Sequence, residues 1–260
     1  MNKVCIWCKE KEPKVSFTRI AHIFPKSLGG QRTCENVCDY CNLYFGSKQP
    51  NLPSVELALK EPLNISRMFL LSQINKARKF PRFKSEYFDY DLIKQSIKPK
   101  YKYRLLSDFQ YLFTKQFKRG VYKVFLEERS QSVGDALNSQ FDFIREFARY
   151  GIGDYPVFYC RPKVTAIFMS EEDTKNPVIR FTEHSERIMQ QYGFYSYFFI
   201  THILAFPVIR NYEITIENYI NFLLKEEKSV FNKLVALKYI TDLDFTFSFA
   251  LKDESINAIL

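Results

Sequence analysis

Cys5-Ile6-Trp7-Cys8 and Cys38-Asp39-Tyr40-Cys41 are two CxxC pairs separated by 29 residues. A CxxC turn presents both of its sulfurs to one ion, and four thiolates complete a closed tetrahedral zinc site. The spacing assigns Cys5, Cys8, Cys38 and Cys41 to a structural Zn2+. The separation is longer than that of a short zinc ribbon, so a sizeable element must sit between the two knuckles. Cys34 is a spare thiol that could replace one of the four or lie buried as a small apolar side chain. Cys160, in the strand-like Val157–Cys160, reads as core. A redox role for the pairs would need a thioredoxin-like βαβ context, and none surrounds residue 5.

Between the knuckles runs Arg19-Ile20-Ala21-His22-Ile23-Phe24-Pro25-Lys26-Ser27-Leu28-Gly29-Gly30. The local pattern is a short strand, a Gly-Gly turn, a second short strand and a helix beginning near Cys41. Ile20, Ile23 and Phe24 are its apolar anchors. A neutral imidazole such as that of His22 can take a proton from water near pH 7. Lys26 and Ser27 sit where a phosphate could be gripped, although a solvated turn explains them equally. Asn42, at the start of the helix, suits either an N-cap or a ligand to a cation.

Taken in order, Cys5/Cys8, His22 to Gly30 and Cys38 to Gly46 resemble the zinc-stabilised HNH endonuclease family. The likeness covers about the first 50 residues, a fifth of the chain. It implies a ββα-metal, treble-clef-like module whose chemistry is hydrolysis of DNA phosphodiester bonds. By this resemblance His22 is the general base, Asn42 holds a catalytic Mg2+ or another divalent cation, and Asn36 pins the loop between the strands. The family usually carries Asp, Glu or His just before the base histidine; here that residue is Ala21, which cannot coordinate. Three explanations stand open. Another acid folds in, with Glu35, Asp39 and Glu56 the nearest; DNA phosphates and waters hold the metal; or the site is weak or dead. The leading expectation is therefore a metal-dependent endonuclease, of the kind used in bacterial restriction or anti-phage defence. The alternatives are an inactive, DNA-binding HNH module and an effector nuclease released when its C-terminal region senses a partner or ligand. A homodimer would place two such sites on opposite strands.

The rest of the chain must position these residues. Its 260 residues allow one large domain or two modest ones, and 46% hydrophobic with 17% aromatic residues excludes a disordered chain. Prolines 50, 53 and 62 suggest a boundary near residue 60, dividing a zinc module (1–60) from an accessory domain (61–260). The expected fold class is α+β, with a mainly antiparallel sheet in the second part. Residues 76–129 hold 15 Lys or Arg against 6 Asp or Glu, and so carry the whole net charge of +9. Basic residues interleave there with aromatics, a pattern that suits a nucleic-acid backbone. Lys79, Arg82, Lys100, Lys102 and Arg104, with Lys26, are the expected DNA contacts.

Helices are expected over residues 54–60, stopped by Pro62, over 65–77, over 107–130 with a break near Gly120, and over 140–150 ending at Gly151. Strands are expected over 164–169, 178–182, 195–205, 208–212 and 245–251, with an interrupted helix over 216–238. His184 reads as a solvated loop or helix start, and His202 as structural. No Gly-rich phosphate loop and no GxSxG occur, which leaves a P-loop ATPase or a serine hydrolase unsupported. No apolar run is long enough to span a membrane and the N-terminus has no signal-peptide core, so a cytoplasmic protein is expected.

Overall fold

A computed structural model of the chain describes residues 3–50, 52–74, 84–91, 94, 96–106, 108–162, 176–199, 202–226 and 231–245. The N-terminal module is the expected ββα unit. Strands β1 (Ala21–His22) and β2 (Thr33–Cys34) pair antiparallel, with Ala21 opposite Cys34 and His22 opposite Thr33. The turn between them depends on its glycines. Gly29 ends a 3-10 turn at φ 88°, and a Cβ on Gly30 would clash with the Phe24 carbonyl oxygen. Helix α1 (Asp39–Gly46) carries the second knuckle on its first turn.

Helix α2 (Val55–Ile74) is unbroken, and Pro62 lies inside it. The stop expected at Pro62 does not occur. Ala58, Leu59, Leu63 and Ile65 are buried on both sides of the proline, and this packing outweighs a cost of about 3 kcal/mol for a proline in a helix interior. The boundary drawn near residue 60 therefore falls inside a helix. A hairpin of β3 (Phe88–Asp91) and β4 (Ser96–Pro99) leads into the single turn α3 (Tyr101–Arg104).

The long helix α4 (Phe109–Ser132) packs against α2 and the following helix and continues unbroken past Gly120, where a break was expected. Gly120 is instead the point of close approach to α2: a Cβ there would meet the Leu59 Cβ at 2.9 Å. Helix α5 (Asp142–Tyr150) ends, as expected, at Gly151 in the left-handed conformation, φ 73°.

Four strands form the C-terminal sheet: β5 (Phe158–Pro162), β6 (Phe194–Phe199), β7 (His202–Pro207) and β8 (Phe231–Ala236), in the order β6-β7-β5-β8 and antiparallel throughout. Alternation along the strands separates two cores. Tyr159, Tyr195 and Phe206 share the cluster that contains Phe125 of α4 and continues to Trp7 and Phe45. Phe158, Phe194 and Ala205 pack on the other side with Ile188 and Tyr219, from helices α6 (Glu183–Tyr192) and α7 (Ile216–Glu226).

The overall class is α+β, and several element assignments change. Residues 195–205 belong to two strands. The segment after α7 that was expected to be helical is β8, because it pairs with β5, Cys160 opposite Leu234 and Tyr159 opposite Val235. Among the described residues, 178–182 join no sheet; Thr182 instead caps α6 through Ser185. Residues 208–212 leave the sheet after the Val208 N–H bonds to Gly193, and turn into a short 3-10 segment, Tyr212–Ile214. The strands expected over 164–169 and beyond residue 245 lie outside the described residues.

Candidate active site and metal centre

The ligand atoms of Cys5, Cys8, Cys38 and Cys41 all lie within 4.8 Å of one another. A tetrahedral Zn2+ with bonds of about 2.3 Å needs sulfurs ~3.8 Å apart, and the Cys8 and Cys38 sulfurs are 3.8 Å apart. The four crowd one another chemically as well. The neighbouring Cys41 holds the Cys5 pKa down to about 5, and Cys5 together with burial raises that of Cys41. Burial pushes Cys8 up to about 12. A divalent cation removes this conflict, since it lets all four sulfurs ionise together. Cys34 is buried outside the cluster, with its sulfur accepting from Gln131 Nε2 at 3.5 Å, and Cys160 is buried in β5.

Helix α5 braces both knuckles. Arg145 Nε donates to the Ile6 carbonyl at 2.6 Å, inside the first, and Arg149 Nε lies 3.4 Å from the Cys41 sulfur, in the second. The two arginines are four residues apart and share a helix face. Arg149 also stacks on the Tyr44 ring at 3.7 Å. A guanidinium beside a thiolate offsets the negative charge of a four-cysteine centre.

His22 opens into a cleft of about 490 Å³ whose lining includes Asn42, Lys26, Lys48, Glu56 and Lys60. Burial first, and then the charge of Lys26, hold the His22 pKa below the usual histidine value. Its Nδ1 is buried without a hydrogen bond among the described residues. Asn42 Nδ2 donates to the Ile20 carbonyl at 3.2 Å, which leaves its Oδ1 as the free acceptor of the amide. Asn42 is thus not the N-cap of α1; that place is taken by Cys38. Asn36 lies just after β2 and makes backbone and side-chain bonds to other segments. Its carbonyl accepts from Ile6 N–H at 2.9 Å, and its amide reaches Ser130 of α4 at 3.5 Å.

Of the three acids nearest in sequence, two are occupied elsewhere. Asp39 accepts from Ser16, Thr18 and the Arg19 N–H, and so ties the first loop to α1. Glu35 is exposed and pairs with Lys3 at 3.3 Å. Glu56, on the first turn of α2, lines the cleft. Behind the cleft lies Lys123 of α4. It is buried, and its Nζ donates to the His22 carbonyl at 2.9 Å and to Glu127 at 2.8 Å, and lies 3.4 Å from Glu56 Oε1. Burial opposes its charge, but Glu127 and Glu56 more than offset this and raise its pKa. Glu127 in turn accepts from the Trp7 indole at 3.1 Å.

The expected basic contacts divide. Lys26 is exposed on the rim of the cleft, and Lys79 and Arg82 lie outside the described residues. Lys100 donates to the Ser85 carbonyl at 2.6 Å, Arg104 to the Pro99 carbonyl at 2.6 Å, and Lys102 stands over the Tyr103 ring. None of these three lines the cleft. Lys118, Arg119, Lys123 and Arg129 are buried, with Lys118 on Asp154 and Arg129 on Asp135 and Glu186. Much of the charge in residues 76–129 therefore holds the fold together. Lys48 and Lys60 were missed from sequence; no local pattern sets them apart from other lysines. His184 sits exposed in the first turn of α6, and His202 is buried in β7 with Nε2 2.9 Å from the Asp244 carbonyl.

Among the described residues no helix is long and apolar enough to cross a membrane. Neither the curated proteins nor the solved structures contain a match to the chain. A family model described as HNH endonuclease matches residues 5–52. That segment holds both knuckles, His22 and Asn42 in one ββα unit, so residues 5–52 are similar to the HNH endonuclease family, with four clustered cysteines placed as in a zinc-stabilised module of that kind.

Proposed function

We propose that the protein is a metal-dependent endonuclease that hydrolyses DNA phosphodiester bonds in the cleft around His22. The observation that carries this reading is the HNH match on residues 5–52, whose His22 and Asn42 line one cleft with three lysines. His22, kept neutral at pH 7 by its lowered pKa, takes a proton from the attacking water. Lys26 and Lys60 draw the phosphate in by charge and position it, while Lys48 is held at the cleft by Glu86, 2.7 Å away. The four cysteines hold Zn2+, which keeps the strands and α1 in register. The donor set of the cleft fits a hard divalent cation: Asn42 Oδ1 would be one oxygen ligand, and the bound ion would stabilise the leaving oxygen as a Lewis acid.

The test is a plasmid-nicking assay over Mg2+, Mn2+ and Ni2+, comparing wild type with His22→Ala. Metal-dependent nicking that the variant loses is the expected result. Nicking that survives in His22→Ala overturns the assignment of the base. A second reading, a DNA-binding module without activity, is favoured by the buried, non-ligating Ala21. It predicts salt-sensitive binding with no cleavage under any metal.

A further inference from the structure

The geometry points to Glu56 as the carboxylate that replaces the missing ligand at Ala21, so that one divalent cation is held between Asn42 of α1 and Glu56 of α2. This rests on the nuclease reading and names a ligand outside the segment matched by the family, which ends at residue 52. The position before the base histidine cannot serve. Ala21 is 1% exposed and faces the core opposite Cys34.

Three observations converge on Glu56. First, Asn42 and Gly46 are one helical turn apart and share a face of α1, and both line the cleft with Glu56. Glu56 Oε2 lies 3.7 Å from where a Cβ on Gly46 would sit. The carboxylate thus reaches over the bare last turn of α1 toward the row that carries Asn42. Second, the Asn42 amide is oriented by its bond to Ile20, with Oδ1 left free. Third, Glu56 is held from behind, its Oε1 3.4 Å from the Nζ of Lys123. The same Nζ holds the His22 carbonyl. One buried lysine therefore sets both the candidate base strand and the candidate ligand, and makes Lys123 a positioning residue. One carboxylate and one amide oxygen, with water and phosphate filling the other places, is an ordinary Mg2+ or Mn2+ site.

The test is a Mn2+ titration of the full-length, zinc-loaded protein followed by electron paramagnetic resonance, with no DNA present. Glu56→Gln keeps the shape of the side chain and its acceptor for Lys123. It is expected to weaken Mn2+ binding by about tenfold or more, with zinc content unchanged. Glu35→Gln, on an exposed acid away from the cleft, is expected to bind as wild type. Asn42→Ala gives a second arm that does not depend on the folding of Glu56→Gln, and it too is expected to lose affinity. Mn2+ binding within twofold of wild type in either Glu56→Gln or Asn42→Ala overturns the shared site. The two proposals fail separately. Loss of Mn2+ in Glu56→Gln with no nicking by wild type leaves the cation site standing and defeats the nuclease. Nicking by wild type with unchanged Mn2+ binding in Glu56→Gln does the reverse.

Discussion

The Nζ of Lys123 lies 2.9 Å from the main-chain oxygen of His22, a contact across 101 residues of chain. It joins the middle of α4 to the strand that carries the candidate base. Lys123 also neutralises Glu127, which is fully buried and held by the Trp7 indole between the first pair of cysteines. Lys123→Met should leave Glu127 buried without its cation and lower the unfolding free energy by about 3–5 kcal/mol. Lys123→Met with Glu127→Met should recover part of that loss. Urea unfolding of the three proteins checks this, and a loss under about 1 kcal/mol in the single variant would contradict the buried pair.

The zinc knuckles lean on α5 in the same way. Arg149→Leu removes the guanidinium beside the Cys41 sulfur and should speed zinc release to a chromophoric chelator by about tenfold. Cys41→Ser should lower the zinc content outright, whereas Cys34→Ser should leave it at one ion per chain. A fragment ending at residue 60 lacks α4 and α5, and should lose its zinc far faster than the whole chain. Release from that fragment at the full-length rate would mean that the module stands alone.

Gly120 sets two effects against each other. Alanine is favoured over glycine in a helix by about 1 kcal/mol. Here the added Cβ would meet Leu59 Cβ at 2.9 Å and the Val55 carbonyl oxygen at 3.3 Å. Overpacking should win, and Gly120→Ala should destabilise the protein by about 1–3 kcal/mol. A rise in melting temperature would show that α2 and α4 do not approach so closely.

His202 makes stability depend on pH. Burial lowers its pKa from 6.5 to about 4 in the folded protein. Between those values the unfolded chain binds the extra proton, so stability falls as the pH drops through that window and is unaffected above it. The full effect is about 3 kcal/mol. His202→Gln should therefore show a shallower loss of unfolding free energy between pH 6.5 and 4 than wild type. The other acid-labile groups, the cysteine thiolates among them, are common to both proteins and cancel in the comparison. Parallel curves would show that His202 titrates normally.

What could be read without coordinates was local. The two CxxC pairs, the His22 strand, the Gly29-Gly30 turn and the Gly151 stop each depend on a few neighbouring residues, whose backbone geometry or ligand chemistry is decided by type and spacing. The tertiary structure decided the rest. Pro62 stays inside a helix because both flanks are buried, and residues 231–236 become a strand because β5 has an edge for them. Lys118, Arg119, Lys123 and Arg129 resemble a basic stripe in sequence, yet they turn inward to partners that lie in other segments. Glu56 was one of three acids nearby, and only the packing of α2 beside α1 separates it from Glu35 and Asp39. A buried charge takes its role from whatever the fold brings within about 3 Å, and no spacing along the chain encodes a partner a hundred residues away.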